Sequence, residues 1–210
     1  MRHFHTLGGI LLLYLLVIAL PPRALGVANV AVLGWLLLVI LHEQRYRRRW
    51  EQVVSVAGGV MAVATLMAAI LTSSTIHSLI SNSCIAIMGI TAIALLAGTV
   101  ARREGVDQIV VTSVLGIYLL LALMFSSVHL LLAALHPHYL NGTPSPPTAS
   151  DTLYFSVITM TTVGFGDITP ATSLARAVAA IEALVGQLYL VSVVSVAVAR
   201  FQIKPRGGAR

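Results

Sequence analysis

The sequence predicts an all-α membrane protein with six transmembrane helices, and a re-entrant short helix plus extended segment between the fifth and sixth. Three observations predict it. Of the 210 residues, 58% are hydrophobic and only 10% charged, whereas soluble domains are about a quarter charged. The apolar residues fall into six runs, close to the roughly 20 residues, at about 1.5 Å each, needed to cross about 30 Å of hydrocarbon. Between the last two runs lies an apolar stretch too short to span, followed directly by alternating glycines.

The six runs are Phe4 to Leu20, Ala24 to Leu41, Val53 to Leu71, Leu79 to Ala101, Ile109 to Leu135 and Thr172 to Ala199. The first is the shortest. It ends in Pro21-Pro22-Arg23 and not in a small-residue cleavage site, so it reads as a retained helix and not as a signal peptide. Those same three residues leave room only for a tight hairpin to the second run. Residues 1–104 are expected to form a four-helix domain, 105–203 a second unit with the last two spans, and 204–210 a basic tail. Cys84 is the single cysteine and forms no intrachain disulfide.

Charge placement gives orientation. Thirteen basic residues exceed seven acidic ones. With a cytoplasmic N-terminus, the inner segments hold Arg2, then Arg45, Arg47, Arg48 and Arg49, then Arg102 and Arg103. The tail adds Arg200, Lys204, Arg206 and Arg210, while Arg23 and Arg176 fall outside. This positive-inside bias places both termini in the cytoplasm of a cell's plasma (inner) membrane. Basic residues divided among short loops form no groove, which excludes nucleic acid as a partner. The Arg45 to Arg49 cluster and the tail suit anionic lipid headgroups, at about 1 kcal/mol per charge, though topology alone also accounts for them.

After Pro144-Ser145-Pro146-Pro147, Ser150 and Asp151 read as a helix N-cap and first turn. Twelve helical residues from Ser150 to Thr161 would cover about 18 Å, and six extended residues from Thr162 to Asp167 about 20 Å. A descent and an ascent of equal length describe a re-entrant loop. Irregular backbone at membrane depth persists only where it is buried in protein or lines an aqueous path.

Thr161-Thr162-Val163-Gly164-Phe165-Gly166-Asp167 resembles the signature of potassium channels, with Phe165 in place of the usual tyrosine. The resemblance covers Ile109 to Ala199. Asp151 to Pro170 is most similar to the pore region of voltage-gated potassium channels, with Tyr154 and Phe155 where that group has two tryptophans. The four preceding spans resemble the family in number and order. The resemblance implies K+ as the permeant ion, bound by the backbone carbonyls of Thr162, Val163, Gly164 and Phe165 and by the Thr162 hydroxyl, with Gly166 completing the filter and no cofactor. The residue types suit such a task. Successive strand carbonyls point to opposite sides, so aiming all of them at one axis requires unusual angles at alternate residues. Gly164 and Gly166 reach positive φ at no steric cost. One filter strand cannot surround an ion, so four chains are required, most simply as a homotetramer. Pore-helix C-termini directed inward would place negative dipole ends near a central cation.

The resemblance further implies that Asp167 bonds to the pore helix, where Tyr154 supplies a hydroxyl. Thr161 and Phe155 belong to the same filter support, while Phe165 lacks the hydroxyl of the usual tyrosine. Glu182 lies within the last span, where a carboxylate is costly and usually functional. Two placements are open: behind the filter, bonded to a pore-helix hydroxyl such as Thr159 or Thr161, or facing the cavity; pairing with Arg176 is a minor third. Gly186 matches the inner-helix hinge glycine of the resembled channels, but a small residue for close helix packing explains it nearly as well.

Steep voltage gating takes three or four charges per subunit. The fourth run contains none, and Arg102 and Arg103 sit only at its end, so no conventional voltage sensor is expected. His136 and His138 belong to the outer loop, and His129 to a helix contact in the fifth span. Asn141-Gly142-Thr143 fits a glycosylation sequon, a tripeptide common by chance. Alternatives to a potassium channel are a weakly selective cation channel, the membrane subunit of a potassium uptake system, and a non-conducting regulatory subunit. No nucleophile–base pair, metal-ligand cluster or phosphate-binding loop suggests an enzyme.

Overall fold

The computed structural model describes residues 74–101 and 108–202, with Gly8, Leu11, Leu12 and Val60 as isolated helical positions. The first three apolar runs otherwise lie outside the described residues. So do the Arg45 to Arg49 cluster, Arg102, Arg103 and residues 203–210.

The described chain is helical. Helix α1 spans Ser74–Ala101, α2 Gln108–Leu135, α3 Ala149–Met160 and α4 Ser173–Gln202, with the short strands β1 (Leu140–Asn141) and β2 (Thr169–Pro170) flanking α3. Two helices are long and apolar enough to cross a membrane: Val110–Leu135, mean hydropathy 2.2, and Ser173–Val193, mean hydropathy 1.6. Helix α1 carries an apolar stretch at Asn82–Gly98. Of the six spanning helices expected, two thus meet the length and hydropathy requirement among the described residues.

Helix α2 is the hub, packing against α1, α3 and α4. One of its faces presents Ile117, Leu120 and Leu123 to Ile85, Met88, Ala92 and Leu96 of α1, residues spaced three or four apart and so on one side of each helix. Another face presents Ala122 and Phe125 to Met160. A buried bond between Ser126 Oγ and Thr152 Oγ1, 3.0 Å long, joins α2 to α3.

The start of α3 corrects the expected N-cap at Ser150. Thr148 is the cap: its Oγ1 accepts from the Asp151 N–H at 3.2 Å, and its own N–H donates to Asp151 Oδ2 at 2.8 Å. This reciprocal capping box satisfies donors that the first helical turn leaves free. The helix still has twelve residues, one position earlier than expected.

Strands β1 and β2 pair antiparallel, Leu140 opposite Pro170 and Asn141 opposite Thr169. The Ala171 N–H extends the pairing by donating to the Tyr139 carbonyl at 3.1 Å. Asn141 Nδ2 also donates to Thr169 Oγ1 at 3.4 Å. Gly142 has φ +80, and a Cβ there would collide with the Asp167 carbonyl oxygen. The loop after α2 is therefore clamped to the chain that leaves residues 161–167, and the glycine of the apparent sequon is what allows it.

Candidate functional site

Segment 161–167 begins where α3 ends. The last four carbonyls of a helix lack partners within it, and here each finds a donor. Val157 O accepts from the Thr161 N–H at 3.0 Å and from Thr161 Oγ1 at 2.7 Å. Thr159 O accepts from the Thr162 N–H at 3.1 Å, and Ile158 O from the Gly164 N–H at 3.1 Å. Met160 O accepts from the Tyr118 hydroxyl at 3.1 Å and from Gln187 Nε2 at 3.5 Å. The segment is thus folded back onto α3 by its own backbone, while α2 and α4 hold the last carbonyl.

Positive φ recurs at alternate residues: Thr162 at 59, Gly164 at 50 and Gly166 at 83. The glycines were expected to take such angles, and Thr162 was not. For a β-branched residue this conformation is a true outlier, and surrounding structure must hold it in place. All seven residues from Thr161 to Asp167 are exposed on the single chain, with Phe165 at 72%. No added Cβ at Gly164 or Gly166 would meet a neighbouring atom within 4 Å, so conformation and not space requires glycine there.

Tyr154 and Phe155 separate into two environments. The Tyr154 hydroxyl donates to Asp167 Oδ2 at 2.9 Å, as the resemblance implied, and its ring stacks on Phe165 with centroids 6.5 Å apart. Phe155 is buried instead, edge-on against His129 with centroids 5.1 Å apart. Adjacent helical residues differ by about 100° in direction, so only one of the two faces the segment.

Glu182 also departs from expectation. It is fully buried, and its Oε2 lies 2.9 Å from His129 Nε2 on α2. Thr161 gives its hydroxyl proton to its own helix, and the α3 hydroxyl beside the carboxylate is Ser156, which lies outside hydrogen-bond geometry and leaves Glu182 Oε1 without a partner. Arg176 turns the other way, its Nε donating to the Pro170 carbonyl at 3.5 Å. Glu182 therefore does not pair with Arg176, and it points away from the exposed face of α4, which carries Leu174, Ile181, Leu184, Leu188 and Val191.

His129 Nδ1 lies 3.0 Å from the Tyr139 hydroxyl. Burial, with the Glu182 carboxylate adding to it, pushes the Tyr139 phenol up to about 12, so at neutral pH it stays an O–H. Sequence reasoning missed the pairing of His129 with Glu182. The signal was available: each is an ionisable residue in an apolar span, about 9 Å and 14 Å from the helix ends at Leu135 and Ser173, depths close enough to meet.

Gly186 packs against the end of α3. A Cβ there would lie 3.0 Å from the Met160 carbonyl oxygen and 3.2 Å from its Cα. This is the close-packing role weighed against a hinge. Tyr118 and Tyr189 stack beside it with centroids 5.9 Å apart, and the Tyr189 hydroxyl donates to Val114 O at 2.7 Å. Among the described residues, no group of three His, Cys, Asp or Glu could hold a metal ion.

Residues 113–202 match a family model described as "Ion channel". No curated protein matched the chain, and no solved structure did. The matched segment runs through α2, the capped α3, the 161–167 loop and α4, the same residues that carry the signature and its supports. Residues 113–202 are thus similar to an ion-channel domain.

Proposed function

We propose that the chain is one subunit of a homotetrameric potassium channel that conducts K+ passively through residues Thr162 to Gly166. The observation that carries this reading is the alternation of positive φ at Thr162, Gly164 and Gly166 directly after a short capped helix. Alternation of this kind lets successive carbonyls face one axis, where uncharged oxygens bind an alkali cation weakly enough to release it. Val163, Gly164 and Phe165 supply further carbonyls, and the Thr162 hydroxyl adds an oxygen at the inner end. The Asp167–Tyr154 bond supports the outer end.

The four-chain arrangement is supported by what a single chain leaves uncovered. Val163 and Phe165 are exposed, as is a stripe on α4 of Leu174, Ala177, Ile181, Leu184, Leu188 and Val191. The stripe repeats at three and four residues, the spacing of a helix seam against other helices. Helix α1 contains no arginine or lysine, so a sensor of the arginine-ladder kind is not carried there. We place both termini in the cytoplasm from the distribution of basic residues, with K+, other copies of the chain and membrane lipid as partners.

A second reading, a weakly selective cation channel, is favoured by one feature: Phe165 stacks on Tyr154 but has no hydroxyl to bond behind the filter. Potassium flux into liposomes holding the purified tetramer, with sodium and barium controls, tests the proposal. Flux that is potassium-selective and barium-blocked supports it. Equal sodium and potassium flux favours the second reading, and a verified tetramer that conducts neither ion speaks against both.

A further inference from the structure

We propose that His129, Glu182 and Tyr139 form a brace behind the pore helix, coupling the position of α4 to the loop that clamps the filter's outer end. The inference rests on the channel reading of residues 161–167 and adds to it a positioning role for residues that do not touch the ion.

The three side chains come from α2, α4 and the loop after α2, and exposure is 0% for His129 and Glu182 and 1% for Tyr139. Their bonds form one chain, Glu182 Oε2 to His129 Nε2 at 2.9 Å and His129 Nδ1 to the Tyr139 hydroxyl at 3.0 Å. Tyr139 is the node. Its carbonyl accepts from the Ala171 N–H, the next residue Leu140 opposes Pro170, and Gly142 sits against the Asp167 carbonyl. From α4 the route therefore runs through Glu182, His129 and Tyr139 to the segment that touches Asp167, the residue after the filter. No other charged side chain enters it among the described residues: Arg176 of α4 is turned to Pro170, and α3 contributes only the Phe155 ring and Ser156.

Adhesion alone does not require this chemistry. The same face of α4 carries Ala175 and Ala179, packed with Ala133 and Phe155, and Gly186 against Met160. Apolar contact of that kind is non-directional and permits sliding. A buried hydrogen-bonded pair does not, because parting it leaves polar groups unsatisfied. The pair therefore fixes the register between α4 and α2, and Tyr139 carries that register to the loop. Ser156 Oγ and Glu182 Oε1, both buried and unpartnered, leave the pore helix itself outside the bonded chain, so coupling passes around α3 and not through it.

Hydrogen exchange of the full-length tetramer, read on peptides covering 139–143 and 168–171, tests the brace whether or not the protein conducts. Glu182→Met and Tyr139→Phe should each speed exchange there roughly tenfold, and the double variant should add little to the larger single effect. Glu182→Gln, which keeps a hydrogen-bonding group opposite His129 Nε2, should stay within about threefold of wild type. Should Glu182→Met fail to fold, His129→Leu with Glu182→Met removes both partners, and it should melt near the wild-type temperature while still exchanging fast. Wild-type exchange in that pair, or additive effects of Glu182→Met and Tyr139→Phe, would overturn the proposal. Potassium flux of the wild type, measured separately, judges the channel reading.

Discussion

Gly186→Ala sets the packing and hinge roles of this glycine against each other. The new Cβ would approach the Met160 carbonyl oxygen at 3.0 Å and the Met160 Cα and Cβ at 3.2 Å, against the 3.5–4.0 Å or so at which carbon atoms ordinarily rest. The opposing atoms are mostly backbone, and that backbone cannot yield easily. Ile158 and Thr159 are bonded to Gly164 and Thr162, Met160 O is held by Tyr118, and Met160 is wholly buried. Overpacking of this kind costs about 1–3 kcal/mol. Alanine recovers about 1 kcal/mol of helix propensity, leaving a net loss of roughly 1 kcal/mol per chain, which the 3.5 Å Gln187 bond to Met160 would be first to absorb. Unfolding of the purified protein in graded denaturing detergent, beside its flux, gives the readout. The packing role predicts lower stability together with altered conduction. A variant that gains the full propensity increment and opens less often would refute the close contact and restore the hinge.

Two further outcomes follow from the filter geometry. Gly164→Ala should abolish potassium over sodium selectivity in liposome flux, because φ at this residue is +50 and alanine resists that region; a variant with normal selectivity would remove the filter assignment. Tyr154→Phe keeps the ring that stacks on Phe165 but deletes the bond to Asp167, so currents under sustained drive should decay several-fold faster, by the roughly 1 kcal/mol a single hydrogen bond contributes, and unchanged decay would count against that support.

The fold around the site was legible where one local rule decides. Runs of apolar residues mark α2 and α4 nearly to their ends, and the twelve-residue helix before residues 161–167 follows from length alone. Its cap escapes inspection of Ser150 singly, because Thr148 and Asp151 act together across three residues. The Tyr154–Asp167 bond was reachable through resemblance. The partner of Glu182 was not, because it lies 53 positions away on another helix and only shared depth in the membrane links the two. The β1–β2 clamp left no periodic trace: two-residue strands carry too little pattern to detect, and Gly142 reads as part of a sequon until Asp167 is seen against it. Hydropathy alone marks the first four runs, and of these only the fourth, α1, falls among the described residues, with Asn82–Gly98 as its apolar stretch.

Thr162 is where the two ends of the support meet the strain they hold. Positive φ at a β-branched residue costs about 1–3 kcal/mol, and it sits between a helix end fixed by Tyr118 and Gln187 and an outer end fixed by Tyr154. Glycine would relieve the strain, so its absence requires something that the threonine side chain supplies. The hydroxyl is the candidate, as an oxygen at the inner end of the filter. Thr162→Ser keeps the hydroxyl and sheds the β-branch, so it should retain selective flux with stability equal to wild type or up to about 1 kcal/mol higher. Thr162→Val keeps shape and strain but has no oxygen, so it should fold as wild type while barium block weakens at least several-fold. If valine preserves barium block and serine does not, the methyl group and not the hydroxyl is what the site needs, and the strain would then be retained for packing between subunits and not for the ion.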